Sequence, residues 1–307
     1  MRANSFESMN SDSEYFDFHA TLACACIAQG LSRANEAAVI LTATRRFFSA
    51  LAVMMLCATA HPALAHEFWL EPADFTPKIG ASVPISIRIG QNFKGDSFPF
   101  IRGEFKRFVV VDASGEKPVK GVDGDDPAVT MKFPQAGLAI FAHYSTAEPL
   151  TFETWEKFES YLALEGLQHI APLHRQQGKP MTGIKEIYSR CAKLLMSVGG
   201  AGGEDRPTGM PLELVAERNP YQLGAGEMLP VRLLFNGKPI EGVQITAFSK
   251  TDTINRQRVR TDAEGRARIA LPTAGPWLLN AVHMLPPSPR EKADWTSFWA
   301  SMTFARP

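Results

Sequence analysis

Apolar residues at every second position are the feature that most limits how this chain can fold. Residues 83–89, 229–235 and 298–304 each carry this alternation. A period of two places every other side chain on one side of a strand, as in a sheet with one buried face. The sequence therefore predicts a chain built mainly from antiparallel strands.

Further strand-like runs and tight turns divide the strands into two groups. The further runs cover residues 105–111, 138–144, 243–247, 267–271 and 277–284. In the second half, an Asn-Gly-Lys-Pro turn at 236–239 and a turn at 262–265 connect neighbouring runs. Short strands joined by such turns are typical of immunoglobulin-like or transthyretin-like sandwiches. We expect two antiparallel β-sandwich domains.

Between the two groups the apolar period becomes helical. Phe152, Trp155, Phe158 and Leu162 recur at helical spacing. A second stripe of this kind comprises Ile184, Ile187, Tyr188, Cys191, Leu194, Leu195 and Val198. The sequence thus predicts a two-helix insertion, with Cys191 as a small buried apolar residue and not a nucleophile.

These patterns predict five segments. They are a leader at 1–65, an N-terminal β domain at 66–150, a helical insertion at 151–198, a Gly-rich and charged linker at 199–210, and a C-terminal β-sandwich domain at 211–307.

The leader has the features of a secretory signal peptide. Arg45 and Arg46 precede the apolar residues 47–60, and the triplet Ala-Leu-Ala at 63–65 matches an A-x-A cleavage site. An apolar run of about 14 residues is shorter than the roughly 20 that cross a bilayer. Residues 1–44 are unusually acidic for a signal peptide, and we expect translation to begin near Val39 or Leu41. Cleavage after residue 65 would release a periplasmic protein that begins with His66.

Composition and motifs exclude several classes of function. The 32 Lys and Arg residues balance the 32 Asp and Glu residues, so the chain lacks the positive charge that a nucleic-acid partner requires. The sequence contains no nucleophile elbow, Walker loop, HExxH or CxxC motif. We expect a protein that is not an enzyme. Cys191 is the only cysteine after the leader, so no intramolecular disulfide is expected.

A histidine at a chain start can chelate a metal ion by itself. Its α-amine and its ring Nδ1 can close one chelate ring, and their ordinary pKa values of about 7.7–8.0 and about 6.5 make deprotonation easy near neutral pH. Such nitrogen ligands prefer nickel, cobalt, copper and zinc to calcium or magnesium. We therefore expect His66 to bind a divalent transition metal.

Other histidines are candidates to complete this site. His283 ends the strand-like run 277–284, and His143 lies near the end of the run 138–144. His169 and His174 fall in a stretch that we interpret as solvated loop, and they are left out. The predicted ligands are His66, His283 and His143.

Several segments also carry a family resemblance. They are AHEFWLEP at 65–72, KFESYLALEGL at 157–167, YSRCAKLL at 188–195, PLELVAERNPYQL at 211–223, and the end of the chain from TDAEGR at 261 to DWTSFWASMTF at 294–304. Together they resemble the periplasmic component associated with cobalt/nickel ABC-type (energy-coupling-factor) transport, a family otherwise labelled as a domain of unknown function. The resemblance implies an accessory protein that hands nickel or cobalt to an inner-membrane importer. A TonB-linked uptake system is the alternative partner. The resemblance also implies His66 and His283 as ligands, together with His143.

Two alternatives remain open at the level of the sequence. The sandwiches could bind protein or glycan, with incidental histidines. A lytic polysaccharide monooxygenase also begins with a copper-chelating histidine on an immunoglobulin-like sandwich, but Phe68, Trp69 and Leu70 follow His66 here and favour an apolar setting over a flat polar substrate face.

Overall fold

The computed structural model describes residues 66–200, 202–252 and 255–307. The predicted signal peptide, its cleavage after residue 65 and the first three cysteines lie outside these residues. The strands are β1 (Glu67–Pro72), β2 (Ser82–Gln91), β3 (Lys94–Phe98), β4 (Phe105–Asp112), β5 (Gly115–Pro118), β6 (Val129–Lys132), β7 (Gly137–Ser145), β8 (Glu148–Thr154), β9 (Thr182–Val198), β10 (Leu212–Ala216), β11 (Met228–Phe235), β12 (Lys238–Pro239), β13 (Gln244–Ser249), β14 (Gln257–Arg260), β15 (Arg266–Ala270), β16 (Gly275–Leu285) and β17 (Trp295–Arg306). The helices are α1 (Trp155–Leu164) and α2 (Ile170–Gln176).

Nine strands form one central sheet. In spatial order β14, β13, β16, β17, β9, β7, β4 and β5 lie side by side, and β8 pairs with the first half of β9. All neighbours in this sheet are antiparallel except β9 and β17, which run parallel. The parallel pair joins the strands of the first half of the chain to those of the second half, so the two groups of strands share a single sheet.

Both faces of the central sheet are covered. One face, called here the back face, packs against a sheet of β10, β11, β12 and β15. The opposite front face packs against a sheet of β1, β2, β3 and β6 and against the two helices. The Thr303 hydroxyl in β17 donates a hydrogen bond to the Leu70 carbonyl oxygen in β1 at 2.7 Å, which fixes the first strand to the front face.

The predicted fold class is confirmed. The chain is mainly β, with two helices between strands, and the runs predicted as strands are strands. In β17 the side chains of Ala300, Met302 and Phe304 belong to the back-face core, and the alternate residues Trp295 and Trp299 pack among the helices, as the alternation predicts.

The second predicted helix is wrong. Residues 184–198 lie in β9, a strand of 17 residues, and the second helix is α2 at Ile170–Gln176. From Cys191 to Val198 every residue of β9 is buried, because its two sides pack against different sheets. A strand that is buried on both sides loses its alternation, so its apolar residues can match helical spacing by chance.

Cys191 lies in this strand and is buried, as the sequence predicts. Burial raises the pKa of its thiol to about 12, so the reactive thiolate is disfavoured at neutral pH. Neither helix in the described part of the chain has the length and apolarity needed to span a bilayer.

Candidate functional site

His66 lies exposed at the edge of an open cavity. It directly precedes β1, whose first residue Glu67 pairs with Gly90 in β2. The cavity has a volume of about 370 Å³, and Asp96, Gln91 and Lys94 line it together with His66. The side chain of His66 is thus accessible, while the pairing of β1 holds the backbone next to it in place.

The hairpin of β2 and β3 forms the floor of this cavity. Asn92 and Phe93 take positive φ angles of 57° and 59°, the conformation of the tight hairpin turns that suit twisted strands. Beside the turn, a Cβ atom on Gly90 would lie 2.0 Å from the Lys94 carbonyl oxygen. Only glycine fits there, so the approach of the two strands under His66 depends on that residue.

A second pocket adjoins the His66 cavity, and both are lined by Ile89 and Phe98. This pocket has a volume of about 230 Å³ and is mostly apolar. Its polar groups come from Glu104, His143, Ser145, Glu148 and Arg190.

Arg190 in β9 lies at the centre of the polar groups of this pocket. Its Nη1 donates to Glu148 Oε1 at 3.2 Å, and the Tyr188 hydroxyl donates to Glu148 Oε2 at 2.8 Å. The guanidinium carbon lies 5.4 Å from the ring centroid of Phe68 and 4.7 Å from that of Tyr188, within the range of cation–π attraction. Burial raises the pKa of Tyr188 to about 12, so its hydroxyl stays a donor.

His143 is packed inside an aromatic cage. The ring centroids of Phe68, Phe108 and Phe105 lie 5.0, 5.1 and 5.4 Å from that of His143. Burial, together with the positive charge of Arg190, lowers the pKa of His143 to about 3. Its Nδ1 has no hydrogen-bond partner among the described residues. The imidazole is therefore held neutral at physiological pH.

His283 lies elsewhere. Its ring centroid is 4.7 Å from that of Phe235 in β11, so the side chain is on the back face of the central sheet. Burial lowers its pKa, and the charge of the nearby His169 acts in the same direction. The structure therefore places His66 and His143 in adjoining cavities but does not bring His283 to either of them.

The interpretation of the segment around His174 as a solvated loop is wrong. His174 is fully buried on α2, where its Nδ1 accepts a hydrogen bond from Trp295 Nε1 at 2.9 Å. Its Nε2 lies 2.9 Å from the Pro180 carbonyl oxygen. Since Nδ1 accepts, Nε2 carries the proton and donates it to Pro180. The short helix buries His174, and the sequence carries no strong sign of this helix.

Three glutamic acids with raised pKa values are buried in the described part of the chain. Glu67 in β1, Glu165 after α1 and Glu186 in β9 are all buried. Desolvation raises the pKa of Glu67 to about 7, that of Glu186 to about 7 and that of Glu165 to about 8. The charge of Glu67 contributes to the raised pKa of Glu165, while Arg258 and Arg256 lower it.

Hydrogen bonds hold two of these acids in place. Glu186 Oε1 accepts from the Tyr161 hydroxyl at 3.1 Å and from the Ser297 hydroxyl. Glu165 Oε2 accepts from Asn280 Nδ2 at 3.3 Å. No three His, Cys, Asp or Glu side chains in the described ranges are arranged to hold a metal ion.

Sequence reasoning missed the charged residues of β9. Arg190 and Lys193 lie within the stripe for which the sequence predicts a helix, and a charge on such a helix normally marks a solvated face. The available signal was Lys193, the lone charge within the apolar run CAKLLM. If that run is buried, the lysine must be paired with acidic groups, because lysine is almost never fully buried otherwise.

A family described as a domain of unknown function (DUF4198) matches residues 63–285. None of the curated proteins matches this chain.

Two solved structures are distantly similar to this chain. The D0-D1 domain of intimin is 11% identical with a TM-score of 0.19, and the match covers 78% of this chain and 97% of that chain. A tetra-tandem repeat in the extending region of a large adhesion protein is 10% identical with a TM-score of 0.23, and the match covers 79% of this chain and 50% of that chain.

Proposed function

This chain belongs to the family defined by the domain of unknown function DUF4198, and we propose that it is a periplasmic protein that binds a divalent transition metal, nickel or cobalt first. In the proposal the ion is bound by the α-amine and the imidazole of His66, which become the chain start after cleavage. The protein is an accessory to metal uptake, associated with an inner-membrane importer or a TonB-linked system. It binds and passes on its ion without catalysing a reaction.

The exposed position of His66 carries the proposal. The residue lies at the edge of an open cavity, directly before a strand that is paired from its first residue. A freed α-amine and the ring Nδ1 would therefore be held at a fixed place and remain open to an incoming ion. Less ordering entropy is lost when a ligand group is already in position.

Asp96 supplies the next candidate ligand. Its carboxylate is exposed and lines the same cavity as His66. An amine, an imidazole and one carboxylate make a nitrogen-rich set that suits nickel, cobalt, copper or zinc.

The other two histidines contribute differently to this proposal. His143 lines the adjoining pocket in neutral form, which is the form that binds metal, but it is enclosed by aromatic rings. His283 lies on the back face and has no part in the site. The proposal therefore rests on His66, with Asp96 beside it.

Isothermal titration of the exported, processed protein with nickel, cobalt, copper and zinc tests the proposal. We expect His66→Ala to weaken binding at least tenfold, and Asp96→Asn to weaken it less. A chain with two residues added before His66 keeps the imidazole but loses the α-amine chelate, so it should bind as weakly as the alanine variant. If the extended chain binds as tightly as the processed one, the chelate is wrong.

Sequencing of the exported protein tests the location. A first residue other than His66 in the periplasmic fraction, or recovery of the protein in the cytoplasmic fraction alone, would contradict the proposal independently of metal binding.

A further inference from the structure

A lysine lies in the core between the central sheet and the sheet behind it. Lys193 in β9 is fully buried. Its neighbours on the same side of the strand, Cys191 and Leu195, belong to the apolar back-face core. Taking an ammonium group out of water costs several kcal/mol unless charged partners and hydrogen bonds compensate.

Two buried carboxyl groups surround the amine. Lys193 Nζ lies 3.1 Å from Asp205 Oδ1 and 3.4 Å from Asp205 Oδ2. It also lies 2.8 Å from Glu213 Oε1 and donates to the Arg206 carbonyl oxygen at 3.1 Å. The carboxylates are as buried as the lysine, with side-chain exposures of 0% and 2%. One cation thus faces two acids, which leaves a buried excess of negative charge if all three are ionised.

The two carboxyl groups meet the amine differently. Both oxygens of Asp205 lie at similar distances from Nζ, so the amine faces the carboxyl group broadly and Cγ lies within its reach. Glu213 presents a single oxygen, which is the arrangement for passing a proton. Asp205 is placed to react and Glu213 to assist.

We propose that Lys193 and Asp205 are joined by an intramolecular amide bond between Nζ and Cγ, formed with release of one water molecule and with Glu213 as the catalytic residue. Such a bond is a covalent cross-link between β9 and the segment that connects it to β10.

The reaction balances without an added reagent. Glu213 relays one proton from the Lys193 ammonium group to the Asp205 carboxylate, which gives a neutral amine and a neutral acid. The lone pair on Nζ forms the new bond to Cγ as the C=O electrons move to oxygen. Glu213 takes a second proton from Nζ and delivers it to the hydroxyl group, the C–O bond breaks and water leaves. The amide keeps the third proton, and Glu213 ends as the carboxylate that it was.

The surroundings favour each step. Burial raises the pKa of Asp205, which favours the neutral acid that an amine can attack. The Arg206 backbone N–H donates to Oδ1 at 2.7 Å, and the Ala216 backbone N–H donates to Oδ2 at 2.8 Å. Whichever oxygen remains on Cγ therefore has a fixed donor to stabilise the negative charge that develops on it.

Glu213 is itself held in position. Its Oε1 accepts from the Thr208 backbone N–H at 2.7 Å and the Thr208 hydroxyl at 2.8 Å, and its Oε2 accepts from the Gly209 backbone N–H at 3.1 Å. Fixing the reacting groups in a buried site can replace most of the entropic barrier to a condensation.

The intact mass of the purified chain under denaturing conditions is the first test. We expect it to be lower than the sequence mass, counted from the N-terminus found by sequencing, by the mass of one water. A wild-type mass equal to the sequence mass would overturn the proposal and leave an ordinary buried ion pair. This test needs no variant, so it does not depend on any variant folding.

Peptide mapping locates the bond. Trypsin should fail to cleave after Lys193, and the resulting peptide that also contains Asp205 should lack one water. Fragmentation of that peptide should give no backbone fragments that begin or end between Lys193 and Asp205, because the side-chain amide holds both ends of any break together. An aspartyl succinimide would also remove one water, but it would leave Lys193 open to trypsin, and that outcome would contradict the proposal. The surface pair Lys117 and Asp112, 3.2 Å apart, is the internal control, and the peptides that contain these residues should keep their full mass.

Variants test the role of each group. Lys193→Arg retains the charge but should restore the full mass, as should Asp205→Ala. Glu213→Ala keeps both reacting groups, and circular dichroism checks that this variant is folded. If the folded variant has the full sequence mass, the proton transfer is assigned to Glu213. A condensed Glu213→Ala chain would remove that role.

Discussion

His143 and His283 lie on opposite faces of the central sheet, three strands apart. The order β7, β9, β17, β16 separates them, and with neighbouring strands about 4.8 Å apart this is about 14 Å of sheet. His143 contacts Phe68 on the front, and His283 contacts Phe235 on the back. One metal ion cannot bind both side chains.

A His283→Ala variant should therefore bind metal as the wild type does. We expect dissociation constants for nickel and cobalt to agree within about twofold, whereas the variant at His66 differs at least tenfold, or about 1.4 kcal/mol. Isothermal titration of both variants, with the wild type alongside, gives the comparison. Loss of binding on removal of His283 would place the site on the back face.

The neutral His143 should make stability depend on pH. Because burial lowers its folded pKa to about 3, the unfolded chain takes up a proton below about pH 6.5 that the folded chain does not. The stability that the neutral His143 contributes to the folded state is complete above about pH 6.5 and is lost as the pH falls towards 3. A His143→Phe variant keeps an aromatic ring in the cage and removes the titration.

We expect the free energy of unfolding of the phenylalanine variant, relative to the wild type, to rise by about 2 kcal/mol between pH 6.5 and pH 5. Denaturant unfolding at both pH values measures this difference. A constant difference would mean that His143 takes up a proton in the folded state and is not enclosed.

The buried acids Glu67, Glu165 and Glu186 act in the opposite direction. Their folded pKa values of about 7 to 8 exceed the ordinary value near 4.5, so the folded chain holds protons that the unfolded chain has lost. Their contribution to stability is complete below about pH 4.5 and is lost as the pH rises to about 8. Unfolding experiments from pH 6.5 to 9 should show stability falling and then levelling off.

Glu186→Gln is the matched variant, because an amide keeps the acceptor for Tyr161 and cannot ionise. We expect it to reduce the slope of stability against pH between 6.5 and 8. Stability that does not change with pH through this window in the wild type would show that the acids are already ionised in the fold.

The hydrogen bond between Trp295 and His174 should contribute strongly to the front-face core. Trp295→Phe removes the donor to Nδ1 and leaves a fully buried nitrogen without its partner. We expect a loss of about 2–4 kcal/mol in unfolding free energy, from the unpaired nitrogen and the smaller ring. Leu173→Ala, on the same helix but exposed, is the control and should change stability by about 0.5 kcal/mol or less.

The alternating strands could be predicted from the sequence because each has one buried face, as β2 and β11 do. β9 could not, since its second half is buried on both sides and the period that distinguishes strand from helix disappears. For the same reason the sites that depend on β9 were missed: the pocket of Arg190, and Lys193 with its two acids. His66 was singled out by the cleavage motif before it, a local signal that needs no fold, and its role as a metal ligand stays a prediction.

The position of β17 has a consequence for the order in which the protein can fold during synthesis. Residues 295–306 insert between β16 and β9, and both of these strands are made earlier. Until these residues emerge, β9 and β16 each present an open edge, and unpaired edges are the places where chains associate wrongly. Because the ribosome releases the chain from its N-terminal end, nearly all of the chain must be made before the central sheet can close.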